Sequence, residues 1–146
     1  MQATQARNAT VIAFDFGTRR VGVAIGNTLT RTARPLVTID ARDEDARWRE
    51  IEALVAEWQP AQLVVGLPTH ADGTPHQMTA QARRFASELD ARFGLPVALV
   101  DERFTSELAK SELSAAGMGG RENRALRDQL AAHMILEVWL HEQHDA

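Results

Sequence analysis

Four acidic residues stand where the surrounding pattern gives an acid something to do. Asp15 lies inside VIAFDFG, flanked by Val11, Ile12, Ala13, Phe14 and Phe16. Buried alone there, a carboxylate costs several kcal/mol, so it requires a hydrogen-bonding partner, a metal ion or an edge position. Asp101 and Glu102 close another apolar run in VDERFTS. Side chains alternate along a strand, so only one of that pair can share a face with Asp15. Asp128, in RDQLAAHMIL, falls on the same side of a helix as Ala131, Ala132, Ile135 and Trp139. Carboxylates brought together from two strand ends and a helix are hard oxygen donors, suited to Mg²⁺ or Mn²⁺. Two such ions, roughly 3.5–4 Å apart, activate water and stabilise the departing oxygen of a phosphodiester without a protein nucleophile. Taken singly, each acid also has a structural reading. Asp15 suits a turn residue accepting N–H groups around Gly17. Asp128 suits favourable negative charge near a helix N-terminus. Asp101 and Glu102 suit a strand-end pair with Arg103.

The elements that must position these acids follow from hydrophobic periodicity. Residues 11–16 and 21–26 are apolar runs joined by Gly17, Thr18, Arg19 and Arg20, and a third run covers Pro35–Ile39, so three strands form an antiparallel meander. Trp48, Ile51, Leu54, Val55 and Trp58 recur at helical spacing until Pro60 stops the pattern. QLVVGLP is a buried strand. MTAQARRFASELDARFG is a helix with Met78, Ala82, Phe85 and Leu89 on one stripe and Gly94 as its cap, and PVALV is a fifth strand. Thr105 or Ser106 caps a further helix running to about Gly117. The last helix carries Leu126, Leu130, Met134 and Val138 on one stripe and Ala131, Ala132, Ile135 and Trp139 on the next, a broad arc that packs on the sheet. Strands alternating with helices after the hairpin add in parallel through right-handed crossovers. The expected fold is α/β: a five-stranded mixed sheet, an antiparallel three-strand meander plus two parallel strands, flanked by helices. That is the ribonuclease H-like layout. Residues 11–141 form one domain, 1–10 a flexible N-terminus and 142–146 a tail.

Composition narrows the function classes. A length of 146 residues leaves room for one core and excludes a second full domain. The absence of cysteine removes disulfides, thiolate metal sites and cysteine nucleophiles, and agrees with a reducing compartment. The polar start and the acid at position 15 leave neither signal peptide nor membrane span, so a cytoplasmic protein without a membrane partner is expected. A net charge of −4 argues against non-specific coating of nucleic acid while permitting a local basic groove. Fifteen of the sixteen cations are Arg, with Lys110 the exception, which favours bidentate phosphate contact, although genomic base composition gives the same bias. His70, His76, His133, His141 and His144 show no compact ligand pattern. Trp48 and Trp58 fit helix core better than base stacking.

The segments FDFGTRRVGVAIGN, ARPL, VVGLP, DGT, ARRFASEL, VDERFTS and RDQLAAHMIL, in this order over about residues 11–140, resemble the YqgF family, also called RuvX, of pre-16S rRNA nucleases and Holliday-junction-resolvase-like proteins. The resemblance implies a metal-dependent endonuclease hydrolysing phosphodiester bonds, with 5′-end processing of pre-16S rRNA as its reaction, Mg²⁺ or Mn²⁺ as cofactor, and Asp15, Glu102 and Asp128 as catalytic and metal-binding acids. Asp101 stands as the alternate for Glu102. By the same correspondence Arg20 and Arg103 meet phosphate, and Gly66 in the GLP turn lies against substrate. Gly26 and Asn27 replace the Ser-Asp of many members, so any metal or water contact by an acid there is lost or softened to an amide.

Partners follow from these readings: nucleic acid, with precursor rRNA favoured and branched DNA as alternative, and ribosomal particles, for a monomer or homodimer. Two readings from other classes stay open. One is an ATP-binding module, because Asp15 to Thr18 also read as an Asp-x-Gly-Thr phosphate loop, although such modules use two lobes. The other is a non-catalytic ribosome-assembly factor holding RNA through Arg19, Arg20, Arg83, Arg84 and Arg103.

Overall fold

The computed structural model describes residues 9–68, 78–102 and 124–145. The strands are β1 (Thr10–Asp15), β2 (Arg20–Asn27), β3 (Thr32–Asp40), β4 (Gln62–Leu67) and β5 (Val97–Asp101). The helices are α1 (Glu44–Trp58), α2 (Thr79–Phe93) and α3 (Arg124–Asp145). The strands form one sheet in the order β3-β2-β1-β4-β5. β1, β2 and β3 pair antiparallel, while β4 and β5 add in parallel beyond β1. This is the expected mixed sheet, and the acids at the ends of β1 and β5 lie at the same end of their parallel strands.

Period-two alternation sorts the strand side chains into two cores. On one face Ile12, Phe14, Val21, Val23, Leu63 and Val65 pack with Trp48 and Ile51 of α1 and Phe85 and Leu89 of α2. Phe85 is the hub of that layer, with ring centroids 5.6 Å from Phe14, 4.9 Å from Phe16 and 5.4 Å from Trp48. On the other face Val11, Ala13, Ala24, Val64 and Val100 meet Ala132, Ile135, Leu136 and Trp139 of α3. Residues toward α1 and α2 are mostly large, whereas those toward α3 along β2 are Gly22, Ala24 and Gly26. Small residues on the sheet facing Ala131 and Ala132 let the α3 backbone lie close across β2, β3 and β1.

Helix ends follow local chemistry. Asp43 caps α1 by accepting from Ala46 N at 2.8 Å, and Gln59 ends it with φ of 46° as its N–H returns to Val55 O, before Pro60. Gly94 ends α2 with φ of 64°, as expected from its place after the apolar stripe. One boundary differs from the sequence reading. β3 begins at Thr32, not Pro35, because Arg31 turns with φ of 57° and its N–H bonds Asn27 O at 2.8 Å, which brings the polar Thr32–Arg34 segment into register. Pro35 is tolerated because β3 is an edge strand and the register shifts beside it, between Val23 and Ala24 of β2. α3 runs from Arg124 through Asp145, in keeping with a sequence in which nothing between 141 and 145 breaks a helix. At the other end Ala9 is buried and Thr10 opens β1. The helix expected over 105–117 and residues 1–8 lie outside the described residues.

Candidate active site

Asp15 ends β1 on the face toward α3, directly opposite Gly22 in the antiparallel ladder. The same alternation separates the acids of the fifth strand. Asp101 is exposed, whereas Glu102 falls on the side of Val100 and is only 6% exposed. Its N–H donates to Leu67 O at 3.0 Å, carrying the β4–β5 pairing one residue past the end of the strand. Asp15 and Glu102 meet there and share a side-chain hydrogen bond. Asp128, early in α3, comes near enough for its charge to act on Asp15. Of the two fifth-strand candidates, Glu102 therefore joins Asp15, and Asp101 does not.

Crowding acids into an apolar corner moves their protonation. Burial pushes the Asp15 carboxyl up, the hydrogen bond from Glu102 opposes that rise, and the Asp128 charge adds to it. Glu102 is pushed up by burial first, then by the Asp15 charge, by its hydrogen bond to Asp15 and by Asp101. The shared hydrogen bond favours charge on Asp15 and protonation on Glu102, so Glu102 is the donor and Asp15 the acceptor. The two carboxyls therefore titrate together as a pair, Asp15 losing its proton before Glu102.

The arginines divide. Arg20 Nε donates to Asp128 Oδ2 at 2.7 Å, with each side chain about one quarter exposed (26% and 24%). The residue expected to meet phosphate is thus held within the protein's own acidic corner, its two terminal nitrogens remaining beyond that contact. Arg19 faces Asp40 at 3.5 Å in open solvent. Arg83 and Arg84 are exposed on α2, and Arg103 lies outside the described residues. Gly66 adjoins an acid: a Cβ built on it would fall on Glu102 Oε2 and Ile135 Cδ1. Asn27 lies opposite Thr10, at the far end of β1 from Asp15. Its Oδ1 accepts from Leu29 N at 2.8 Å and Thr30 N at 3.1 Å. The Gly26-Asn27 departure therefore shapes the β2–β3 turn and leaves the acidic corner untouched. His133 pairs with Glu137 at 2.8 Å along α3, and His70 and His76 lie outside the described residues.

Two residues escape sequence reasoning. Gly22 follows from the hairpin register alone, since the strand opposite Asp15 must present some residue there. Arg47 carries no such signal. It is 7% exposed on α1, donates from Nη2 to Thr18 O at 2.6 Å and lies over Phe16 at 5.4 Å, tying the turn after Asp15 to the helix. Burial lowers its pKa while Glu44 acts the other way.

Among the described residues the corner offers carboxylate oxygen as donor, which fits a hard divalent cation. No three His, Cys, Asp or Glu side chains among the described residues are placed so that together they could hold a metal ion as they stand. Asp15 and Glu102 are turned to one another, and Asp128 to Arg20. Burial first, and neighbouring acid charge after it, raise both carboxyl pKa values, and the charge part of that burden is one that a bound dication would relieve.

Comparison with known proteins places this geometry. Proteins from Burkholderia multivorans and Burkholderia cenocepacia, each named "Putative pre-16S rRNA nuclease", are 49% identical to it over 145 and 149 residues. The matches span 99% of this chain and 97% and 100% of those relatives. In fold the chain is similar to Thermus thermophilus RuvC in complex with a Holliday junction substrate, with TM-score 0.55 and 17% identity over 92% of this chain and 95% of that one. It is likewise similar to fowlpox virus resolvase with Holliday junction DNA, with TM-score 0.54 and 11% identity over 92% and 98%. These likenesses bear out the ribonuclease H-like fold. A family model described as RuvX, Holliday junction resolvase, matches residues 9–142, and the chain belongs to that family.

Proposed function

We propose that this protein is a metal-dependent endonuclease that hydrolyses phosphodiester bonds in 5′-end processing of pre-16S ribosomal RNA, with Asp15, Glu102 and Asp128 holding Mg²⁺ or Mn²⁺. The observation that carries the reading is the convergence of Asp15 and Glu102 on one hydrogen bond beside Asp128. Three residues far apart in sequence arrive there from two strand ends and a helix. The names of the Burkholderia relatives support RNA as substrate.

When bound, a divalent cation supplies Lewis-acid polarisation of the phosphate and an activated water. The chain supplies position and charge. Asp15 and Glu102 would hold the cation as carboxylates, the proton between them passing to solvent. Asp128 comes in on α3, oriented by Arg20 Nε. The terminal nitrogens of Arg20 present a planar fork to a phosphate oxygen. Arg47 fixes the turn after Asp15 through Thr18 O, so that Asp15 is not displaced as substrate enters. The apolar wall of Ile135 and Val100 keeps the rear of the acidic corner dry, which strengthens each charge interaction in it.

A second reading keeps the chemistry and changes the substrate to four-way junction DNA. It is favoured by the family description and by the resolvases of similar fold. Incubating purified protein with Mn²⁺ or Mg²⁺ and either a precursor 16S transcript or a four-way junction separates the two. Cleavage of the transcript at its 5′ leader, abolished in Asp15→Asn, is the expected result. Junction cleavage alone would move the assignment to branched DNA. Binding of RNA without cleavage, equal in wild type and Asp15→Asn, would make the protein an assembly factor.

A further inference from the structure

The strands on both sides of Asp15 lack side chains at its level. On β2 the residue paired with Asp15 is Gly22. On β4 the parallel ladder pairs Phe14 with Val65, so the next step brings Gly66 to the level of Asp15. A row Gly22, Asp15, Gly66 thus crosses three adjacent strands on the α3 face. Each glycine faces a different acid. A Cβ on Gly22 would fall on the carbonyl group of Asp128 and lie 3.1 Å from its Cα. These are helix backbone atoms, which cannot rotate away. A Cβ on Gly66 would fall on Glu102 Oε2 and on Ile135 Cδ1, both parts of buried side chains.

We propose that Gly22 and Gly66 are positioning residues of the acidic site, forming a two-sided notch that admits Asp128 from the β2 side and Glu102 from the β4 side of Asp15. Gly22 sets the height of the α3 backbone over the sheet and therefore the reach of the Asp128 carboxylate. Gly66 supplies the volume that the Glu102 carboxylate fills. The inference rests on the metal-holding role given above to the three acids, and it adds the residues that fix their spacing. Gly26 is the internal comparison. It lies on the same strand and face under the same helix, and a Cβ there would meet Thr32 O at 2.6 Å and Leu136 Cδ2 at 2.9 Å, remote from the acids.

The test compares Gly22→Ala, Gly66→Ala and Gly26→Ala in the full chain, with two readouts. One is the Mn²⁺ binding isotherm. The other, taken in EDTA, is the stability coupling between Arg20 and Asp128 from a double-mutant cycle in each background. Gly22→Ala is expected to weaken Mn²⁺ binding about 10-fold or more, the scale of losing a support for a metal ligand, and to abolish the Arg20–Asp128 coupling. Gly66→Ala is expected to weaken Mn²⁺ binding comparably while keeping that coupling. Gly26→Ala is expected to lower thermal stability and keep both. Wild-type Mn²⁺ affinity together with intact coupling in Gly22→Ala would overturn the proposal. Should Gly22→Ala not fold, Gly66→Ala decides it, since its clash is with side chains that can turn: unchanged Mn²⁺ affinity there overturns the notch. A wild-type protein that binds no Mn²⁺ would instead refute the nuclease reading, and the coupling measured in EDTA would still settle whether Gly22 positions Asp128.

Discussion

Replacing Asp15 with Asn separates a site acid from a turn acid by the sign of its effect on stability. The folded-state pKa of Asp15 lies above its unfolded value, raised from 3.8 to about 7 by burial against other acids. Between those pH values the native chain holds a proton that the unfolded chain releases, so stability in EDTA falls as pH rises from about 4 to about 7. Glu102, also raised, extends that fall to higher pH. Three pH units at about 1.4 kcal/mol each set a ceiling of roughly 4 kcal/mol on the cost of ionised Asp15. Asp15 keeps some contact with water and titrates with its partner, which brings the expected effect down to on the order of 2 kcal/mol. Asn keeps the shape and removes the charge. In EDTA, Asp15→Asn should match wild type near pH 4 and exceed it at pH 8 by roughly 4–8 °C in Tm for a chain of this size. Added Mn²⁺ should raise the wild-type Tm and leave the variant unmoved. Circular dichroism melts across pH, with and without Mn²⁺, measure both. A variant less stable than wild type at pH 8 in EDTA would refute the reasoning, because it would mean that the ionised carboxylate is stabilised by the turn around Gly17.

Asp128→Asn should fold, lose the charge that draws Arg20, and lower metal-dependent cleavage by a factor on the order of 10³ or more in a single-turnover assay. Arg20→Gln should weaken RNA binding and reduce the dependence of that binding on salt by about one phosphate contact, measured by titration at several salt concentrations. Arg47→Met removes the donor to Thr18 O; it should raise proteolytic sensitivity in the β1–β2 turn and reduce cleavage more than it changes RNA affinity. Ile135→Ala, which empties a fully buried position behind Glu102, should cost about 2–5 kcal/mol in denaturant unfolding.

Much of the architecture was legible because periodicity reports burial directly. The β1–β2 hairpin, β4, β5 and the two helices between them follow from apolar spacing closed by Pro60 and Gly94, and the structure places them within a residue or two. β3 was shorter in the sequence than in the fold because Thr32, Ala33 and Arg34 are held by edge pairing, which has no hydrophobic signature. For α3, the two adjacent stripes left open which one faces inward. The structure buries Ala131, Ala132, Ile135 and Trp139, and Leu130, Met134 and Val138 only in part, since the small Ala131 and Ala132 allow the closest approach. At the site, strand alternation alone showed that Asp101 and Glu102 diverge, but not which of them faces α3. That choice needed the β4–β5 register. The Arg20–Asp128 contact was illegible, because charge on a hairpin predicts a phosphate as readily as an acid on a helix that returns over it.

The acid at position 15 disagrees with its surroundings, and the disagreement is confined. Val11, Ala13 and Phe14 are fully buried, while Asp15 takes the last position of the strand, where the ladder opens toward water. One residue earlier the side chain would point into the layer of Phe85 and Trp48. Two residues earlier it would lie beneath Ala132 and Ile135, with no route for an ion. On the proposed reading the position meets two demands at once: enough burial to set carboxylates beside one another, and enough access for a phosphate to arrive. Glu102 repeats this logic one residue past the end of β5, held by the Leu67 O contact in place of a full strand. The acids are therefore costly to the metal-free fold for the same reason that they are useful to it. A sequence optimised only for stability would put apolar residues at both strand ends and side chains on Gly22 and Gly66.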